Sequence, residues 1–260
     1  MTGCRDSGYI AREPSKDNPQ LSGKFLSDCD FIQIYRLYIF DKKLRLLLLD
    51  IIERFEVHFR TVLAHEMSRT NPLAYLDKQV INPKFEDRYA QWQQKLKEKI
   101  NSSRDDFVLW HKKENKPLPF WAVVETWDFG MLSKYFSMLK RRHQNETAKR
   151  FNVDNTAVLI NWLNEINIVR NQSAHHSRVW NRKGNPIEIL DNVFFNQWNL
   201  SEESRKRLYP RMLVLWYLIS QTSENYQWLD KVHNLIKEEF PMVPNAKLKS
   251  MGIIENLFLS

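Results

Sequence analysis

Residues 41–67 read DKKLRLLLLDIIERFEVHFRTVLAHEM, and this stretch decides the fold class. Leu44, Leu47, Leu48, Ile51, Ile52, Phe55, Phe59, Val62 and Leu63 recur at steps of three and four, the spacing that lines one face of an α-helix. The stripe predicts a long central core helix.

Working outward, the same spacing returns in shorter runs. Asn71-Pro72 and Asn82-Pro83 punctuate the chain before a charged amphipathic helix over 85–100. A further helix is predicted over 106–116, stopped by Pro117 and Pro119. Residues 120–127 and 131–139 flank Phe129-Gly130, which suggests a tight join between helices. Asp154 or Asn155 can cap a helix over 156–171, and Ser201 one over 202–221 that Pro210 is expected to kink. Residues 225–239 form the last long helix, and 186–195 an irregular or extended piece. Only six glycines occur in 260 residues and no convincing alternating run is present, so the expected class is all-α. Residues 1–30 begin with a polar stretch containing Pro14 and Pro19 and show no periodic face. They read as a poorly ordered tail ahead of one helical domain over 31–260.

Lys and Arg number 39 against 31 Asp and Glu, a net charge of +8, so the surface should attract polyanions. The clusters Lys140-Arg141-Arg142 and Arg205-Lys206-Arg207 read more simply as solvated helix ends. Cys4 and Cys29 are the only cysteines, which supports neither a disulfide framework nor a Cys-based zinc site and fits a reducing cytoplasm. The N-terminus lacks the apolar core of a secretory signal, and the longest apolar run, residues 212–219, is far below the ~20 residues a membrane helix needs. A cytoplasmic protein without a membrane partner is expected.

The chemistry concentrates in residues 169–182, VRNQSAHHSRVWNR. Imidazole exchanges protons near neutral pH, and guanidinium forks two hydrogen bonds onto phosphate oxygens without losing its charge. Together they suit the handling of a phosphodiester. Leu159, Trp162, Leu163, Ile166 and Val169 form the apolar face of the preceding helix, and Arg170 falls on that face. A buried guanidinium needs a partner: an acid such as Glu56, backbone carbonyls, a subunit interface or a phosphate. His175 lies five residues on, about 140° around a straight helix. A break near 172–174, with Ser173 as a plausible place, or assembly across a two-fold axis would bring the two groups together. His176 either carries a second proton, orients its neighbour or caps the helix end. Arg178, Arg182 and Lys183, with Trp180 between them, could track an RNA backbone and stack a base. The alternative is a charged loop with Trp180 in the core.

Other kits are missing. The chain has no GxxxxGK, GxGxxG, HExxH or GxSxG, and no acidic or Cys partners that would complete a metal site around its histidines. Glu56 and Arg60 are explained by an i,i+4 ion pair.

At RNQSAHHSRVWNR the chain resembles the Abi family of phage abortive-infection proteins (the AbiD and AbiF type), a branch of the HEPN superfamily. FDKKLRLLLLDIIERFEVHFRTVLAH (40–65) resembles the family's first long helix, and LPFWAVVETWDFGMLSKYF (118–136) its Pro-Trp-Glu-Phe-Gly segment. NWLNEINIVRNQSAHHSRVWNR (161–182) resembles the signature, and MGIIEN (251–256) extends the likeness to roughly Phe31 through Asn256. The signature is an Arg, four to six residues and a His, here Arg170, Asn171 and His175, with His176 as the second His of this branch. The resemblance implies an all-α HEPN-like bundle with additional helices, a homodimer with two signatures facing one cleft, and metal-independent RNA cleavage. Residues 1–30 do not resemble the Tyr-rich stretch that usually precedes the first long helix.

Under this reading the RNA 2′-OH attacks the adjacent phosphorus, with His175 as acid or base and Arg170 stabilising the phosphorane. Asn171 orients His175 or the phosphate, and His176 is the second proton carrier. No cofactor or metal is called for. RNA is the substrate, and a toxic ribonuclease would need an antitoxin, RNA or protein, to restrain it. The rival is a non-catalytic HEPN-type module in which Arg170 and His175 only bind RNA or hold a protein partner.

Overall fold

The computed structural model of the protein describes residues 30–69, 71–220, 227–240 and 246–254. Among them are eleven α-helices, short 3-10 turns, no strand and one isolated bridge between Ile81 and Leu139, so the class is all-α as the spacing predicts. The N-terminal stretch read as a tail lies outside the described residues, apart from Asp30. So do both cysteines.

Helix α1 (Phe31–Ser68) begins at Phe31 rather than Asp41. The Asp30 carboxylate accepts the N–H of Ile32 at 3.2 Å, satisfying one free donor of the first turn, and Leu37 and Phe40 carry the buried stripe upstream. Leu44, Leu48, Ile51, Ile52, Phe55, Phe59 and Leu63 are all buried as the pattern requires, whereas Leu47 and Val62 are only partly covered. The described residues fall into two compact units whose boundaries lie inside α1 and α7 (Thr156–Ala174).

The central unit runs from Arg54 to Asn167. It contains α2 (Glu86–Ser102), α3 (Asp106–Lys113), α4 (Phe120–Val123), α5 (Phe129–Met138), α6 (Arg141–Lys149) and the first part of α7. Its core is aromatic. Phe55 and Phe59 meet Phe151 at centroid distances of 5.9 and 5.5 Å, and Trp92 meets Trp127 edge-on at 4.7 Å beside Tyr135. The edge-to-face pairs among them, Phe55–Phe151 and Trp92–Trp127, add about 0.5–1.5 kcal/mol each beyond the area they bury. Three polar tips are satisfied by backbone: Tyr89 Oη donates to Tyr75 O at 2.6 Å, Tyr75 Oη to Leu118 O at 2.8 Å and Trp92 Nε1 to Met131 O at 3.1 Å. The Trp127 indole N–H is buried without a hydrogen-bond partner among the described residues.

Gly130 lies in the first turn of α5 rather than in a join. Asp128 caps that helix by accepting the N–H of Met131 at 2.9 Å, and a Cβ on Gly130 would come within 3.3 Å of the capping carboxylate and 3.5 Å of the Asn167 amide. The glycine keeps this approach open. At the start of α7 Asn155, not Asp154, accepts the N–H of Ala157 at 3.0 Å.

The terminal unit comprises the residues up to Glu53 and those from Ile168 onward. After α7 come α8 (Val193–Asn196), α9 (Glu202–Arg205), α10 (Leu208–Ser220) and α11 (Trp228–Glu239). The single kinked helix expected over 202–221 is two helices. Pro210 sits in the first turn of α10, where a missing N–H leaves no hydrogen bond unmade, and its ring excludes a continuous helix through the carbonyls just before it. Ser201 caps α9 through the N–H of Ser204. The apolar run 212–219 belongs to a helix buried nearly all round. Trp228 of α11 donates its indole N–H to Leu47 O of α1 at 2.8 Å, which ties the last helix to the first. Gly252 takes φ 89°, and a Cβ there would meet Arg207 Cβ at 2.8 Å, so only glycine fits. No helix among the described residues is long and apolar enough to cross a membrane.

Candidate functional site

Every residue of the predicted site lies in the terminal unit, at the end of α7 and in the segment after it. The helix does not break at 172–174: it continues through Ala174, and Ser173, the expected place for a break, is helical and buried. Termination comes two residues later. His176 adopts φ 56°, its N–H donates to Ser173 O at 3.2 Å, and the N–H of Ser177 donates to Gln172 O at 2.9 Å. These paired 5→2 and 6→1 bonds are a Schellman ending with His176 in the left-handed position usually given to glycine.

That conformation costs an L-residue about 1–2 kcal/mol, while glycine there would give back part of the gain through its freer unfolded chain, about 0.4–1 kcal/mol. His176→Gly is therefore expected to raise the melting temperature by roughly 1–4 °C. If the imidazole takes part in proton transfer, the same variant loses RNA cleavage while gaining stability. Calorimetry and a cleavage assay on one preparation check both halves. A variant with unchanged cleavage removes His176 from the chemistry.

Arg170 is half-buried rather than sunk in the core, and its guanidinium donates to Asn171 Oδ1 at 3.2 Å. Asn171 therefore contacts the Arg170 guanidinium. The core acid considered for Arg170 takes another partner: Glu56 accepts from Arg60 at 2.8 Å. His175 and His176 are both exposed, at the helix end where the last carbonyls concentrate negative potential. No Asp or Glu occurs over residues 166–187, while Arg170, Arg178, Arg182 and Lys183 all do, so the covalent neighbourhood is cationic.

The positive residues downstream differ in availability. Arg182 is exposed, Arg178 is half-buried near the Asp41 carboxylate, and Lys183 is paired with Glu203 at 2.9 Å. Trp180 does not serve as a base-stacking platform. It is 1% exposed, with its ring 5.8 Å from that of Phe240, so the core placement holds. Arg205-Lys206-Arg207 is also structural: Lys206 and Arg207 pair with Glu202 and Glu203, and Arg207 donates to Asn181 O at 3.1 Å.

Spacing alone did not single out the residues that hold this segment. Asp41, 4% exposed, accepts the backbone N–H groups of Val179 and Trp180 at 3.0 and 2.9 Å on one oxygen and the Arg45 guanidinium on the other. Burial pushes its carboxyl above the usual range, against the pull of the two amides, Arg45 and Arg178. Arg211, also buried, donates to the carbonyls of Arg205, Arg207 and Asn185. The loop after the two histidines is thus bolted to α1 and α10. The available signal was a charged residue on the buried face of a stripe, one turn before Arg45.

Among the described residues no three His, Cys, Asp or Glu side chains group as metal ligands. No curated protein and no solved structure matches the chain. The family model for Abi-like proteins matches residues 5–181. The match takes in most of the segment expected not to resemble the family, and it stops before Arg182, Lys183 and the MGIIEN segment. Covering more than half of the sequence and both exposed histidines, it establishes that the chain belongs to the Abi-like protein family.

Proposed function

We propose that this chain is a metal-independent endoribonuclease of abortive-infection phage defence, the role that Abi-like membership suggests. One observation supports the reading most: a half-buried guanidinium, steadied by Asn171, is followed within six residues by two exposed imidazoles in a stretch free of carboxylates. His175 and His176 divide the proton transfers, one taking the proton of the attacking 2′-OH and the other returning one to the leaving 5′ oxygen. Arg170 neutralises charge growing on the phosphorane, and Arg178, Arg182 and Lys183 draw the backbone in. The products are a 2′,3′-cyclic phosphate and a 5′-OH, so the reaction consumes no water before the cyclic ester opens.

Because α7 is unbroken through Ala174, Arg170 and His175 diverge by about 140° around its axis. One copy therefore presents the two groups to different sides. A homodimer in which the Arg170 of one protomer faces the imidazoles of its partner restores a complete site. An antitoxin, RNA or protein, would act by covering this surface.

The test is incubation of purified protein with RNA and with DNA of the same sequence in excess EDTA. RNA alone should be cut. Cutting of both, or a requirement for added metal, overturns the mechanism.

A further inference from the structure

The central unit holds a cavity of about 490 Å³ that the proposed nuclease site does not use. A cavity of this size is ordinary for a small-molecule or nucleotide site. It is walled by Arg60, Thr61, His65 and Arg69 of α1, by Trp121 of α4 and by Glu125 of the 3-10 turn that follows α4. The lining is polarised along α1: Glu125 contacts Arg60, and Arg69 lies nine residues, about 13.5 Å, further along the helix. At one side Glu125, with more than half its side chain in solvent, has a single long contact of 3.4 Å to Arg60, which Glu56 already holds at 2.8 Å. A carboxylate has room for about four hydrogen bonds, so most of this one's accepting capacity is open.

On α1, His65 and Arg69 are four residues apart and therefore on one face. Both are exposed. Arg69 reaches Glu66 only at 3.3 Å, while Arg150 takes the same carboxylate at 2.7 Å, which leaves the Arg69 guanidinium loosely held. Trp121 is 56% exposed although it is large and apolar, and it sits beside the cavity rather than in the core.

An indole wall, an open carboxylate, and a guanidinium with an imidazole describe a ligand that is flat, donates hydrogen bonds at one edge and carries negative charge at another. Among the nucleobases guanine alone presents two adjacent donors, N1–H and the N2 amino group, on its Watson–Crick edge, and these match the two oxygens of one carboxylate. We infer that this cavity is a guanine-nucleotide site: the base stacks on Trp121, Glu125 reads its donor edge, and Arg69 with His65 takes the phosphate. The same chemistry is offered by a free guanosine nucleotide and by a guanosine within single-stranded RNA.

The inference does not depend on cleavage, so calorimetry without turnover tests it. The full chain is titrated with GMP, AMP and guanosine, and with two short 2′-deoxy oligonucleotides of equal length, one containing guanine and one without. GMP should bind at least tenfold more tightly than AMP, and Arg69→Ala should weaken GMP but not guanosine. Trp121→Ala should weaken GMP about tenfold or more, the loss expected when a base loses its stacking partner. Glu125→Gln should abolish the preference for GMP over AMP. Each variant is first checked for an unchanged melting temperature, since all three side chains are largely exposed. Binding of GMP alone identifies a free nucleotide as the ligand, and binding of the guanine oligonucleotide alone identifies a strand. If neither binds, or if binding ignores both Trp121 and Glu125, the site does not exist.

Discussion

Arg170→Ala is expected to fold as the parent does, keep its RNA affinity to within a few-fold and lose cleavage by about 100- to 1,000-fold. The guanidinium is half-buried and its bond to Asn171 at 3.2 Å joins adjacent residues, so its removal unpairs no distant element. Under the proposed mechanism it removes the fixed positive charge beside a phosphorane that gains negative charge only as the 2′-OH attacks. An interaction made chiefly in the transition state lowers kcat and kcat/KM together and leaves KM nearly unchanged. Single-turnover rates with saturating RNA, alongside a melting curve, give the answer. A fall in affinity with no turnover in the parent would favour the non-catalytic module.

Asp41→Ala is expected to do the reverse, striking stability first. The side chain is 4% exposed and serves three donors: two backbone amides and the buried Arg45. Truncation strands all three. Removing one partner of a buried ion pair costs about 3–5 kcal/mol, which for a chain of this size lowers the melting temperature by roughly 6–20 °C. Asp41→Asn keeps an acceptor for the amides but sets an amide against Arg45 with no charge to balance it, so it should fall between parent and Ala. Pairing Asp41→Asn with Arg45→Met removes the stranded cation and should recover part of the loss. Because the asparagine oxygen still accepts from the amides at 179–180, the further loss from Asp41→Asn to Asp41→Ala reports chiefly those two bonds. Thermal unfolding of the parent, Asp41→Asn, Arg45→Met and the double variant completes the cycle, and equal melting temperatures throughout, Asp41→Ala included, would show that Asp41 is not the bolt.

The apolar stripe of α1 and the buried face of α7 were legible because helical period is written directly into the sequence: Leu159, Trp162, Leu163, Ile166 and Val169 are all buried as the spacing requires. Boundaries were less so. The start of α1 depends on Asp30 reaching Ile32, a local bond with weak sequence contrast, and the split at 206–207 depends on how far the effect of Pro210 reaches upstream. The candidate site was legible as composition but not as geometry. Nothing in VRNQSAHHSR says that the helix runs through Ser173 and stops with a histidine in a left-handed conformation. Trp180 could be read equally as a stacking platform or as core, since burial depends on Phe240, sixty residues away in sequence. Asp41 carries the clearest lesson. A charge on the buried face of a stripe demands a partner, and here the partners are backbone amides from the segment that follows the histidines.

The proposed reaction requires a 2′-hydroxyl acting as the nucleophile under the control of Arg170 and the paired histidines. The direct measurement is cleavage, in excess EDTA, of an RNA bearing one 2′-deoxy nucleotide at a mapped cut site, with the ends of all products identified. The expected result is loss of that cut alone, with 2′,3′-cyclic phosphate and 5′-OH ends at every other one. Continued cutting at the deoxy position, or products with 5′-phosphate ends, contradicts it.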